Sequence, residues 1–173
     1  MTEKQRRQYY RFETRAGECL LVYVRQPFQA IRLFLPGGVS ETALSIAECQ
    51  GAVEGPVATV AGFVQHYFAG DISDPPSRDL LLMDQLTAKE QALLRAVADI
   101  PYGMTRTYGE VAATAGFSDA ARFAGNTLAK NPFPVIIPCH RVIRADGTPG
   151  GFGAGTRLKA AMLKLEERIF PLG

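Results

Sequence analysis

"TYGEVAATAGFSDAARFAGNTLAKNP", residues 107–132, decides how the second half of this chain folds. Thr107 is followed three residues later by Glu110, the capping-box pattern in which hydroxyl and carboxylate each satisfy a free amide, so a helix starts here. Gly116 stands where a left-handed glycine ends a helix, and Ser118 is placed to cap the next one. The spacing predicts two short helices joined by a tight glycine turn, a helix-turn-helix shape; a plain helical hairpin inside a core fits the same pattern.

The second helix is notable for small side chains. Ala120, Phe123, Ala124, Thr127 and Leu128 share one face, whereas Ser118, Arg122, Gly125 and Ala129 line another, leaving a bare surface with one long cation. A helix can press against the minor groove of DNA, only about 6 Å wide, if its exposed side chains are short. Glycine inside a helix costs about 1 kcal/mol relative to alanine, so Gly125 marks a close contact, with DNA or with another helix.

Working outward, "TAKEQALLRAVADIPYG" opens with a second capping box, Thr87 and Glu90, and sets Leu93, Leu94 and Val97 on one face of a helix that ends before Pro101. Farther upstream, "DISDPPSRD" (71–79) lacks apolar periodicity and reads as a linker. Before it come three β-rich runs, near 8–14, 18–25 and 29–35, separated by Ala16-Gly17 and Gln26-Pro27. Helices are predicted around 40–50 and 56–69, the second with Pro56 in its first turn and Gly70 as its stop. The expected fold class is α/β in the broad α+β sense. An N-terminal unit, residues 1–85, holds a three-stranded antiparallel sheet with helices; a mostly helical, winged-helix-like unit, residues 86–173, holds the helix-turn-helix.

Composition bounds what such a chain can be. Its 173 residues are 47% hydrophobic and 21% charged with a net charge of +2, enough for a core and too balanced for a uniformly basic surface. Cys19, Cys49 and Cys139 are far apart and lack a CxxC, which indicates neither a disulfide framework nor a zinc ribbon. The N-terminal residues lack a signal-peptide core, and no apolar run approaches the roughly 20 residues of a membrane helix. A cytoplasmic protein, or a nuclear one in a eukaryote, is expected, with no membrane partner.

"NPFPVIIPCHRVI", residues 131–143, carries the chemistry. Prolines at 132, 134 and 138 exclude a regular helix before Cys139, and Pro138 suits the first position of a helical turn. Cys139 would then sit near free amides that stabilise a thiolate and lower its pKa. His140 is the candidate base, reaching the sulfur through a turn or a bridging water, and Glu166 is the carboxylate placed to orient it. Glu166 lies on a helix capped by Thr156, with Leu158, Ala161, Met162, Leu165 and Ile169 facing inward. A buried spectator cysteine, a metal ligand and a hydrolase nucleophile are the alternatives. The two histidines, His66 and His140, show no ligand spacing with the cysteines, and no papain- or caspase-type signature surrounds Cys139.

Taken together, "IPCHRV" (137–142), "IPYGMTRTYGEVA" (100–112), "AARFAGNTLAKNP" (120–132) and "GTPGGFGAGTRLKAAMLKLE" (147–166) resemble the O6-alkylguanine-DNA alkyltransferases. The resemblance spans nearly all of the C-terminal unit and implies a DNA repair protein that transfers an alkyl group irreversibly, once per molecule, from a flipped-out O6-alkylguanine to Cys139. O4-alkylthymine is a second candidate substrate. It further implies His140 as base through a water, Glu166 as its orienter, Tyr108 as the group helping the leaving oxygen gain a proton, and Asn131 as hinge. Arg122 corresponds to the finger that fills the base stack, with Ser118, Ala121, Gly125 and Thr107 beside DNA; Val142, Phe152 and Gly153 would form the substrate pocket. The implied partner is double-stranded DNA held through its minor groove by a monomer, with neither cofactor nor metal.

Phe152 and Ala154 stand where many members have tyrosine and glycine, which leads us to expect a narrower pocket. The alternatives that keep the helix-turn-helix are a non-catalytic alkyltransferase-like lesion binder, which replaces the nucleophile, and a transcription regulator, which needs longer side chains on its recognition helix.

Overall fold

The computed structural model describes residues 7–38 and 54–169, and the chain divides into two compact units, Met1–Leu82 and Met83–Gly173. The helix expected around 40–50, and Cys49 with it, lie outside the described residues.

In the first unit β1 (Gln8–Thr14), β2 (Gly17–Arg25) and β3 (Phe28–Phe34) form an antiparallel meander in the order β1-β2-β3. The first turn is locked by Thr14 Oγ1, which donates to the Gly17 carbonyl at 2.7 Å and accepts from the Ala16 amide at 3.2 Å. Cys19 to Tyr23 are all buried. Because successive strand residues point to opposite faces, both faces of β2 are covered there, not one as a simple amphipathic strand would require.

Helix α1 (Pro56–Ala69) begins with proline and stops at Gly70, whose φ of 86° permits the left-handed cap. It buries Val57, Val60, Phe63, Val64 and Phe68, as the spacing predicts, and Gln65 Nε2 donates to the Glu13 carbonyl of β1 at 3.0 Å. The segment after it is less free than a linker. It closes in a 3-10 turn, Arg78–Leu80, and the Leu82 amide donates to the Ala30 carbonyl of β3 at 2.8 Å. The two proline residues and lack of periodicity describe the start of this stretch, while its end is held by the sheet.

The second unit contains α2 (Ala88–Ala98), β4 (Arg106–Thr107), α3 (Tyr108–Thr114), α4 (Ala121–Ala129), β5 (Val142–Ile143) and α5 (Thr156–Ile169). Both expected capping boxes form, at Thr87 with Glu90 and at Thr107 with Glu110. Gly116, at φ 87°, closes α3 in a Schellman pattern: its amide donates to Ala113 and that of Phe117 to Ala112. Phe117 then packs edge-on against Phe123 of α4, with ring centroids 5.6 Å apart.

Ser118 does not cap α4. The chain spends Ser118 and Asp119 in a turn, with Asp119 at φ 54°, so the cap position falls on Ala120, which has no side-chain hydrogen bond to offer. The winged character is reduced to a short parallel pair, Arg106 opposite Val142 and Thr107 opposite Ile143. That pair positions the site, since β4 runs directly into Tyr108 and β5 emerges directly from the Cys139 turn. Among the described residues no helix is long and apolar enough to cross a membrane.

Candidate active site

Cys139 is reached along a segment held almost entirely out of solvent: Phe133, Val135, Ile136 and Ile137 are all buried. Val135 has a φ of 73°, a left-handed conformation that costs a β-branched residue on the order of 1–2 kcal/mol, tolerated because its neighbours are packed on both sides. Asn131 ties the end of α4 to this segment. Its Nδ2 donates to the Ile137 carbonyl at 2.9 Å and its Oδ1 accepts from the Phe133 amide at 3.0 Å.

Pro138 does not open a helical turn as its first residue. With φ −78° and ψ 64° it is the centre of an inverse γ-turn, in which the Cys139 amide donates to the Ile137 carbonyl at 2.8 Å; a 3-10 turn, Cys139–Arg141, follows it. The thiol also departs from expectation. Burial pushes its pKa above the ordinary range, and this outweighs the lowering influence of the Asn131 side chain, the Lys159 charge and the amides of Cys139 and His140. A resting thiol surrounded by groups that favour the anion is therefore the ground state.

His140 is completely buried, and its Nε2 lies 2.6 Å from Glu166 Oε1. Hydrogen bonds and charge from His140 and Arg141 overcome the opposing effect of burial and hold the Glu166 carboxyl down at about 2. An ionised carboxylate only accepts hydrogen bonds, so Nε2 carries the ring proton and Nδ1 is the basic nitrogen. Burial lowers the His140 pKa despite Glu166, which keeps the imidazole neutral and able to take a proton.

Glu166 is satisfied on every side. Arg141 Nε donates to its Oε2 at 2.9 Å and Nη2 to its Oε1 at 3.0 Å, while the Gly103 amide donates to Oε2 at 3.0 Å. Arg141 itself donates to the Ile100 carbonyl at 2.6 Å and lies 4.2 Å over the Tyr102 ring. This buried pairing, and not a surface phosphate contact, is its place in the structure.

The inner face of α5 differs from the apolar periodicity. Its buried residues are Lys159, Met162 and Glu166; Leu158, Leu165 and Ile169 are only half-buried and Ala161 is exposed. Thr156 is the first helical residue and not the cap before it. The inward stripe is shifted because two charged side chains find partners inside.

Lys159, which sequence reading passed over, has no solvent exposure; its Nζ donates to the Val142 carbonyl at 2.6 Å and reaches Gly151 O at 3.4 Å and Tyr108 Oη at 3.5 Å. Burial lowers its pKa to about 8, partly offset by Cys139. The only signal was its spacing, three and seven residues before Met162 and Glu166.

Beside this network lies a cavity of about 500 Å³ lined by Tyr108, Ala121, Arg122, Gly125, Ala129, Arg144, Gly151, Phe152 and Gly153. It brings together the expected Tyr108, Arg122, Ala121, Gly125, Phe152 and Gly153. Cys139, His140, Asn131 and Val142 are not in its wall; Tyr108, which is, has its pKa raised by burial and, to a lesser extent, by the charge of Cys139. Thr107 is occupied as the α3 cap, and Ser118 is exposed on the turn before α4. A Cβ on Gly125 would lie 3.9 Å from the Tyr108 ring, ordinary contact, so internal packing does not require glycine there. Gly150 is different: at φ 71°, its Cβ would fall 2.8 Å from Tyr108 Oη.

Residues 88–168 match the family model described as the DNA-binding domain of 6-O-methylguanine DNA methyltransferase. A methylated-DNA–protein-cysteine methyltransferase of Methanothermobacter thermautotrophicus is 48% identical over 90 residues, covering 51% of this chain and 50% of the relative; one from Methanosarcina acetivorans is 41% identical over 103 residues, covering 60% and 64%. The chain thus spans about half to just under two-thirds of the length of these curated relatives. Among solved structures, Mycobacterium tuberculosis OGT in complex with DNA superposes with a TM-score of 0.74 at 30% identity over 94% of both chains. The O6-methylguanine methyltransferase of the same organism gives a TM-score of 0.76 at 28% identity over 97% of both. With the Cys139-His140-Arg141 turn, the buried Glu166 behind it and the helix-turn-helix in one compact unit, the chain belongs to the methylated-DNA–protein-cysteine methyltransferase family.

Proposed function

We propose that this protein repairs DNA by moving an alkyl group from O6 of an extrahelical guanine to the sulfur of Cys139. The observation that carries this reading is the buried pair in which His140 Nε2 lies 2.6 Å from the Glu166 carboxylate, which leaves Nδ1 as the basic nitrogen of the residue that follows Cys139. A proton passes from the Cys139 thiol through a bridging water to Nδ1. The thiolate attacks the alkyl carbon, the carbon–O6 bond breaks, and its electron pair remains on the guanine, which takes up a proton with help from the Tyr108 hydroxyl. The products are an S-alkylcysteine and unmodified guanine.

The raised thiol pKa fits a reagent that stays protonated until used, because the anion forms only as the base accepts its proton. A thioether is a very poor leaving group, so each molecule acts once and needs neither cofactor nor metal.

DNA would lie with its minor groove on the outer face of α4, where Ala121, Gly125 and Ala129 are short enough to allow contact and Arg122 is long enough to fill the gap left by the flipped nucleotide. Thr107 and Ser118 would flank this surface. The flipped base would enter the cavity between α4 and the Gly151–Gly153 loop, stacking on Phe152 and reading the Gly153 backbone, with the Val142 carbonyl using the lone pair that Lys159 leaves open. Asn131 would act as the hinge between recognition helix and nucleophile, and a monomer suffices because one cavity takes one base. In this reading the unit from Met83 onward carries the chemistry.

Mass spectrometry after exposure to a duplex containing O6-methylguanine should show one added methylene on Cys139 and unmodified guanine in the DNA. Repeated turnover, or methyl loss from DNA with Cys139→Ser, would overturn the assignment.

A further inference from the structure

The cavity wall holds two cations, Arg122 from α4 and Arg144 from the loop after β5, and no carboxylate. The proposed chemistry uses Arg122 and leaves Arg144 without a task. Its backbone is pinned: the Arg144 amide donates to Thr148 O at 2.8 Å, the Gly147 amide returns to Arg144 O at 3.0 Å, and Gly147 takes φ 82° to make the turn. The nearby acid in that turn, Asp146, commits Oδ1 to the Thr148 amide at 2.9 Å and the Thr148 hydroxyl at 2.6 Å. Among the described residues neither cavity arginine has a carboxylate within ion-pairing distance.

An exposed guanidinium on a rigid turn, facing a cavity already bounded by a second arginine, is a place for a multivalent anion. The two cations come from different segments, Arg122 from the recognition helix and Arg144 from the loop that follows the cysteine turn and β5. A nucleotide leaving the duplex must bring its phosphates past the cavity mouth, and those of the neighbouring linkages remain at the rim. Guanine carries no charge for either arginine to bind, so the anion at this rim is backbone phosphate.

We infer that Arg144 binds a backbone phosphate adjoining the extrahelical nucleotide, holding the cysteine-side lip of the cavity against the DNA while Arg122 occupies the base stack. The assignment rests on the alkyl-transfer reading and adds a positioning residue to it. Arg144 supplies affinity and register; the bonds to sulfur and O6 are made and broken without it.

The test is binding of an O6-methylguanine duplex followed by fluorescence anisotropy at several salt concentrations, with the mass of Cys139 read from the same samples. Arg144→Gln should weaken binding roughly fivefold to tenfold and flatten the dependence of log affinity on log salt by about 0.9, the loss of one phosphate contact. Arg144→Lys, which keeps the charge, should recover most of that slope. On duplexes with one neutral methylphosphonate linkage on either side of the target, one of the two positions should weaken the native protein by a similar factor and leave Arg144→Gln unaffected. An unchanged salt slope, or a full Arg144→Gln penalty on both neutral-linkage duplexes, overturns the phosphate assignment while Cys139 still gains mass. A native protein that shows these binding differences yet leaves Cys139 unmodified overturns the transfer reading alone.

Discussion

Lys159 Nζ donates to the carbonyl oxygen of Val142 at 2.6 Å, joining α5 to the strand that leaves the Cys139 turn through a fully buried charge. A buried ammonium is costly unless its protons are used, and here they are directed at Val142, Gly151 and Tyr108. Its positive charge also lowers the pKa of the Cys139 thiol.

Lys159→Met should therefore raise the Cys139 pKa further. Alkylation of the free protein by iodoacetamide, followed across pH, should show its rising limb displaced to higher pH. A displacement to lower pH, or none, would show that the lysine charge does not act on the sulfur.

Glu166→Gln keeps the shape and removes the charge, leaving Arg141 buried against a neutral amide. Breaking one side of a buried ion pair costs about 3–5 kcal/mol, so the urea midpoint should fall steeply. The amide can also donate to His140 Nε2, which releases the tautomer that leaves Nδ1 basic. Transfer to O6-methylguanine should drop by more than tenfold in the fraction that remains folded, consistent with loss of a positioned base.

Acid should erode stability in two stages. His140 has a folded pKa below its ordinary 6.5, so the unfolded chain takes up its proton first and stability begins to fall below that value. Glu166 has a folded pKa of about 2 against an ordinary 4.5; its contribution is present above 4.5 and is lost as pH falls toward 2. That second stage amounts to on the order of 3 kcal/mol. Urea midpoints from pH 7 to pH 3 should decline in the native protein and decline less in Glu166→Gln; parallel curves would contradict this.

Two glycines should respond in opposite ways to alanine. Gly150→Ala puts a methyl group 2.8 Å from Tyr108 Oη in a left-handed backbone, so both stability and transfer rate should fall, the strain alone being about 1–2 kcal/mol. Gly125→Ala meets nothing closer than 3.9 Å and removes a helix-interior glycine, so thermal stability should rise by up to about 1 kcal/mol. If the outer face of α4 rests in the minor groove, the same change should weaken duplex binding.

The local elements of this protein were legible because their causes are local. Two capping boxes, the left-handed Gly116 and the Pro56 start each act within a few residues, and each forms where the sequence puts it. The string around Cys139 likewise set a cysteine and a histidine side by side, and both lie in one short buried turn, Cys139–Arg141. Where the neighbours in question were close in sequence but the backbone had a second solution, the reading slipped: Ser118 entered a turn and left Ala120 at the cap, and Pro138 formed a γ-turn.

Only the tertiary structure decided what surrounds the sulfur. The fall or rise of a thiol pKa depends on how much water is excluded, and no local pattern tells that Cys139 is sealed by the segment before it while Asn131 folds back on that segment and Lys159 reaches in from α5. For the same reason the inner face of α5 was unreadable from hydrophobicity: Lys159 and Glu166 turn inward because carbonyls and a guanidinium from other elements are there to meet them. Chain order fixes which groups exist, whereas burial and partners fix their charge, and in this site charge determines the chemistry.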